Sequence, residues 1–251
     1  HANLGNALLQ SGDLAGARAE FDDIRRRDPK NVLAAEGFAD LALAGGDREG
    51  AVRLLQEAAD LDPVNPRYFA KAGKIELDAG RKDEGTKLLS RALELDPGYL
   101  PAFASLAAMH LASSDYVAAE KIYRDAADYA PEDADAQASH GRMLAILKRW
   151  DEAADRYARA IALAPQSDAY RLEYARCLQR LGRHEDALSA LRQALEIAPG
   201  NADIHMSLGD SFRDLGRNAD AVAAYKKFLE LDKSNSPMRP VAERFIEILA
   251  G

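Results

Sequence analysis

Six prolines stand 34 residues apart, at Pro29, Pro63, Pro97, Pro131, Pro165 and Pro199. Each closes a similar run, such as AADLDP at Pro63, ALELDP at Pro97 and ALEIAP at Pro199. No insertion or deletion breaks the register. This period restricts the fold more than any other feature, because so short a unit cannot bury its apolar face alone and must stack on its neighbours. With each proline third from the end, the units are 1–31 (truncated at its start), 32–65, 66–99, 100–133, 134–167, 168–201 and 202–235. In the last unit Lys233 takes the proline's place.

Several columns of this frame carry one kind of side chain. Gly5, Ala39, Gly73, Ala107, Gly141, Ala175 and Gly209 form one column, and Ala17, Ala51, Gly85, Ala119, Ala153, Ala187 and Ala221 another. Four residues on stand Phe21, Leu55, Leu89, Tyr123, Tyr157, Leu191 and Tyr225. This predicts two helices per unit, with the small columns where the helices cross and the large column filling the space beside the crossing. Gly12, Gly46, Gly80, Gly182 and Gly216 fall between the paired helices, as glycines that end helices do. Glu49, Asp83, Asp151 and Glu185 lie in the opening turn of the second helix and complement its dipole. Asn31, Asn65, Asp133, Ser167, Asn201 and Asn235 are expected to cap the next unit, with Tyr99 the exception. The proline ends one helix and sets the turn into the next.

The pattern resembles the tetratricopeptide-repeat family over residues 1–235. The segments LGNALLQSGDLAGARAEF (4–21) and LGDSFRDLGRNADAVAAY (208–225) carry the likeness. The aromatic usual near the start of the first helix is present only as Phe69 and Phe103; Ala35, Gln137, Arg171 and His205 depart from it. The resemblance implies an all-α, right-handed superhelical solenoid of antiparallel helix pairs, with first helices lining a concave groove. Residues 236–251 read as one more helix, with Val241, Phe245, Ile248 and Leu249 on one face. Glu243 falls at a position that is small in every full unit, so this helix is expected to be a solvating C-terminal cap. The first unit has no such cap, and a segment is expected to precede His1.

Composition narrows the function. An apolar content of 47% excludes a disordered chain, and no apolar run is long enough to span a bilayer. A formal charge of −8 argues against general nucleic-acid binding. Cys177, the lone cysteine, forms no internal disulfide and leaves the compartment open between cytoplasm and periplasm. Ala- and Arg-rich usage points to a bacterial source. No P-loop, GxGxxG, GxSxG or HExxH motif is present, so no catalytic residue, cofactor or metal is expected. Cys177 reads as a buried filler. His1, His110, His140, His184 and His205 read as packed or solvated, Trp150 as structural packing, and Arg25, Arg26 and Arg27 as a cationic helix end.

The resemblance assigns the inner face to the second, fifth, sixth, ninth, twelfth and thirteenth positions of each first helix. Those columns hold Glu36 and Asp40, then Arg67, Lys71, Lys74 and Asp78. Ala104, Ser105, Ala108, Leu111 and Ala112 make a smooth stretch. Ser139, Arg142 and Ile146 follow, then Leu172, Glu173, Arg176, Gln179 and Arg180, and finally Met206, Asp210, Arg213 and Asp214. Arg67, Lys71, Lys74, Arg142, Arg176 and Arg180 are therefore candidate contacts for an acidic peptide, since Arg binds carboxylates through paired hydrogen bonds and small residues admit a close backbone. The alternative is solvated charge, partly paired with nearby acids. The carboxylate clamp of some relatives is not carried over. Asn6, Arg67 and Lys71 match it, but Ala2 and Gly37 replace its first Lys and middle Asn. The expected partner is another protein or peptide. Self-assembly, or recruitment of substrate within a longer enzyme, is the alternative.

Overall fold

The computed structural model describes residues 1–233 and 236–250, Ala250 by its backbone alone. Among the described residues there are fifteen α-helices and no strand. They form two compact units, His1–Tyr129 and the chain from Ala130 onward. The first unit stacks four antiparallel pairs: α1 (Ala2–Ser11) with α2 (Leu14–Arg27), α3 (Val32–Ala44) with α4 (Arg48–Leu61), α5 (Pro66–Asp78) with α6 (Lys82–Leu95), and α7 (Leu100–Ala112) with α8 (Tyr116–Tyr129). The second stacks α9 (Ala134–Ile146) with α10 (Trp150–Leu163), α11 (Asp168–Arg180) with α12 (His184–Ile197), and α13 (Ala202–Asp214) with α14 (Asn218–Leu231). It ends in α15 (Arg239–Ala250). The expected cap Asn235 lies outside the described residues.

The turns follow from local chemistry. Two or three residues join the helices of a pair, and one of them takes a left-handed backbone. Gly12 and Gly46 do so at φ 86° and 83°, where glycine carries no Cβ penalty. Ser114 and Lys148 fill the same column in the two units without glycine and are forced to φ 57° and 61°. Asn31, Asn65, Asp133, Ser167 and Asn201 accept backbone N–H bonds and cap the following helices; Tyr99 does not. Before the prolines, Asp28, Asp62, Asp96, Ala164 and Ala198 have φ between −129° and −142°, as clash with the proline ring requires. Asp232, before Lys233, relaxes to −73°.

The small and large columns meet inside each pair. A Cβ added to Gly5 or Gly209 would lie 2.7 or 2.4 Å from the ring of Phe21 or Tyr225. At Gly73 it would meet Leu89 at 2.8 Å and the Gly85 carbonyl at 2.9 Å. Phe21, Leu55, Leu89, Tyr157, Leu191 and Tyr225 are buried; Tyr123 is half-buried. Burying each such side chain removes enough apolar surface to contribute about 1.5–3 kcal/mol.

Helix α15 corrects one expectation. Ala242, Phe245, Ile246 and Leu249 face the core at helical spacing, while Val241 and Ile248 are 37% and 61% exposed. Ala242 is fully buried and supplies the close approach one residue before Glu243, which is exposed. Arg239 donates to the carbonyls of Leu229 (3.0 Å) and Asp232 (2.8 Å) and so sets this register.

Candidate functional site

In the first unit the expected basic residues are neutralised from the neighbouring helix. Glu36 on α3 accepts from Arg67 at 2.8 Å and Lys71 at 2.7 Å, both on α5. Lys71 also reaches Asp40 at 2.8 Å. The Glu36 side chain is only 7% exposed, and two cations offset the desolvation of its charge. Gly37 shows why the clamp fails here: any Cβ would lie 2.4 Å from the Phe21 ring, so an Asn has no room. Lys74 is different. It is exposed, and no carboxylate lies within 4 Å among the described residues. It borders a cleft of about 270 Å³ with Leu77, Ser105, Ala108, Met109 and Ala112. The smooth columns of α7 thus form one wall and α5 the other.

In the second unit the columns of α11 and α13 meet in a cleft of about 380 Å³ that includes Arg176, Arg180, Met206, Asp210 and Arg213, with Met238 ahead of α15. Arg176 donates to Glu173 at 2.6 Å and lies 3.6 Å from Asp203. Gln179 spans the helices, donating to the Ser207 carbonyl and the Ser211 hydroxyl, both at 2.7 Å. Arg213 donates to Asp210 at 3.0 Å and Asp214 at 2.9 Å, and its guanidinium lies 4.3 Å over Phe245. Arg180 has no carboxylate within 4 Å among the described residues; its guanidinium lies 5.8 Å over the Trp150 ring. Arg142 is exposed beside Tyr157, whose phenol is pushed upward chiefly by burial and, less, by Glu173. The structure therefore brings Arg67 with Lys71, and Arg176 with Arg180, and leaves Lys74 and Arg142 outside these pairs.

The other residues singled out in the sequence pack or pair locally. Cys177 is buried, and burial first, then Glu173, pushes its thiol up to about 12. A buried, protonated thiol is what a packing side chain at this position presents. Trp150 packs on the core beside Ala153 and Tyr157. Arg27 pairs with Asp23 at 2.7 Å, and Arg25 pairs with Glu57 and lies 5.2 Å over Phe38. His110 lies 3.3 Å from Asp115. Among the described residues no group of three His, Cys, Asp or Glu could hold a metal, and no helix is long and apolar enough to cross a membrane.

Two features escaped the sequence reading. The first is the Arg180–Trp150 contact. The second is a polar column: Gln137 (3.3 Å), Arg171 and His205 (3.4 Å) each bond the carbonyl of the repeat proline six residues earlier, Pro131, Pro165 and Pro199. These residues replace the missing aromatics and satisfy a carbonyl left over at the helix end. The constant spacing of six was the available signal.

Residues 106–168, 147–202 and 172–236 match one tetratricopeptide-repeat model, and residues 8–75 match a second. No curated protein matches at a significant level of sequence similarity. Among solved structures the chain is similar to the C-terminal part of a TPR repeat-containing protein from Cytophaga hutchinsonii (TM-score 0.68, 15% identity, 96% of this chain and 99% of that one). It is also similar to YrrB, described as a TPR protein with an unusual peptide-binding site (0.61, 18%, 76% and 97%). A third likeness is to the APC/C hetero-tetramer Cut9–Hcn1 (0.62, 14%, 98% of this chain and 48% of that one). At these identities the likeness concerns the fold alone. The matched repeats span most of the sequence and coincide with the stacked helix pairs, and the chain belongs to the tetratricopeptide-repeat family.

Proposed function

We propose that this protein is a non-catalytic interaction scaffold whose first-helix face holds a peptide or partner segment bearing carboxylates. One observation carries the reading: first-helix columns of adjacent repeats form open clefts in both units, and Lys74 and Arg180, which border them, have no carboxylate within 4 Å among the described residues. In a chain with 41 acidic and 33 basic residues, cations left unpaired on an open face are available to an acidic ligand. The peptide site of YrrB and the hetero-tetramer of Cut9 and Hcn1 are consistent precedents.

The test is charge reversal. Replacing Arg142, Arg176 and Arg180 together by Glu should weaken an acidic fluorescent peptide at least about tenfold in anisotropy titrations. Helicity by circular dichroism should stay unchanged. Equal affinity in the variant would remove the groove assignment.

Self-association is a second reading, favoured by the open apolar positions Val241 and Ile248 on α15. Light scattering over a concentration series decides it, since a monomer throughout removes it.

A further inference from the structure

We infer that the α11–α13 cleft selects one carboxylate flanked by a bulky apolar side chain, rather than a run of acids, and that Arg180 binds that carboxylate. This rests on the groove-binding function proposed for the chain.

The cleft holds three arginines and three aspartates, Asp203, Asp210 and Asp214. Their pairing is unequal. Arg213 is held by Asp210 and Asp214 and covered by Phe245. Arg176 is held by Glu173 and sits near Asp203. Gln179 is committed to Ser207 and Ser211. Only Arg180 among these cations lacks a carboxylate within 4 Å, counting the described residues. Trp150 supports it through the ring face, a contact that leaves the planar N–H edge free to grip a carboxylate with two hydrogen bonds.

Beside Ser207 the remaining lining is two methionines, Met206 packed into the core and Met238 open, 43% exposed. Unbranched thioether side chains reshape around varied apolar groups. A volume of about 380 Å³ accommodates a few side chains. The three aspartates set the limit on charge. A second and third carboxylate on the ligand would face them without a free cation, and like charges in a partly desolvated cleft repel. The fitting occupant is a peptide segment with one Glu or Asp beside Leu, Phe or Met.

Three C-terminally amidated peptides carrying an uncharged BODIPY label test this against the full chain by anisotropy: Gly-Ser-Gly-Glu-Leu-Phe-Gly-Ser, its Gln isostere, and hexaglutamate. The Glu peptide should bind at least about tenfold more tightly than the Gln peptide and than hexaglutamate. Arg180→Gln should erase the Glu–Gln difference, while Met238→Ala should weaken binding and preserve that difference. Circular dichroism confirms that both variants are folded. If hexaglutamate binds best, or the Glu–Gln difference survives Arg180→Gln, the single-carboxylate site is overturned while an acid-binding scaffold stands. Absence of binding by all three at millimolar concentration overturns both.

Discussion

The Tyr225 hydroxyl donates a 2.8 Å hydrogen bond to Asp210 Oδ1, joining α14 to α13 at the edge of the cleft. Burial pushes the Asp210 carboxyl above its ordinary range, while the Tyr225 bond and Arg213 pull it back. A folded-state value above the unfolded one means that this group's contribution is fully present below the ordinary carboxylate range and is lost as pH rises through the raised value. The ionised carboxylate therefore needs its donors most at neutral pH. Tyr225→Phe should lower stability by about 1.5–3 kcal/mol at pH 7.5 and by less in acid, where Asp210 is protonated. Urea melts at the two conditions measure the difference; equal losses would show that Asp210 is not the acceptor that matters.

Ser114 and Lys148 occupy left-handed turns that glycine fills in five other units. Replacing either by Gly should raise stability by about 0.5–1 kcal/mol, since relief of the Cβ strain exceeds the extra chain entropy of glycine. The two lie in different compact units and should act additively. Chemical denaturation of the single and double variants checks both points, and a loss in either would refute the strain argument.

Gly73 and Gly141 share a column but not a fate. A Cβ on Gly73 meets a backbone carbonyl at 2.9 Å, whereas on Gly141 its nearest contacts are 3.3 Å. Gly73→Ala should therefore destabilise by about 1–3 kcal/mol. Gly141→Ala should be near neutral, because the gain in helix propensity of about 0.8–1 kcal/mol offsets the tight contact. Similar effects at both sites would mean that the backbones do not approach as closely as described.

Glu36 and Asp40 hold Arg67 and Lys71 against the first unit. Glu36→Gln with Asp40→Asn should release both cations and strengthen an acidic peptide several-fold, with a stability loss of about 1–3 kcal/mol. Peptide titration beside a urea melt separates the effects. Unchanged or weaker binding would place the ligand away from α5.

The Cys177 thiol, buried and pushed up to about 12, should resist alkylation in the folded protein at pH 8 and react at once in denaturant. Equal rates in both states would contradict its place in the core.

Much of this was readable without a structure, because it depends on residues close together in the chain. The period places each glycine, proline and cap within a few residues of the turn it controls. Gly12, Pro63 and Asn201 behave as their local backbone demands. The crossing columns were readable too, since a buried approach at every repeat admits only Gly or Ala. The face of α15 was not. A one-residue difference, Ala242 in place of Glu243, arises where Arg239 docks on Leu229 and Asp232, so the register of the preceding repeats does not carry on into this helix.

The sequence by itself determined the all-α repeat and its helix pairs, because periodic burial and turn chemistry are written into spacing, while the columns of the inner face were what the family resemblance implied. Only the tertiary structure decided which of those charges are open. Arg67 and Lys71 are matched by acids 31 to 35 residues away on another helix, while Arg180 lies over Trp150 and has no carboxylate within 4 Å among the described residues. Ion pairing is settled over a few ångströms between side chains of different helices, and a 34-residue period places each residue on its helix without naming its neighbour.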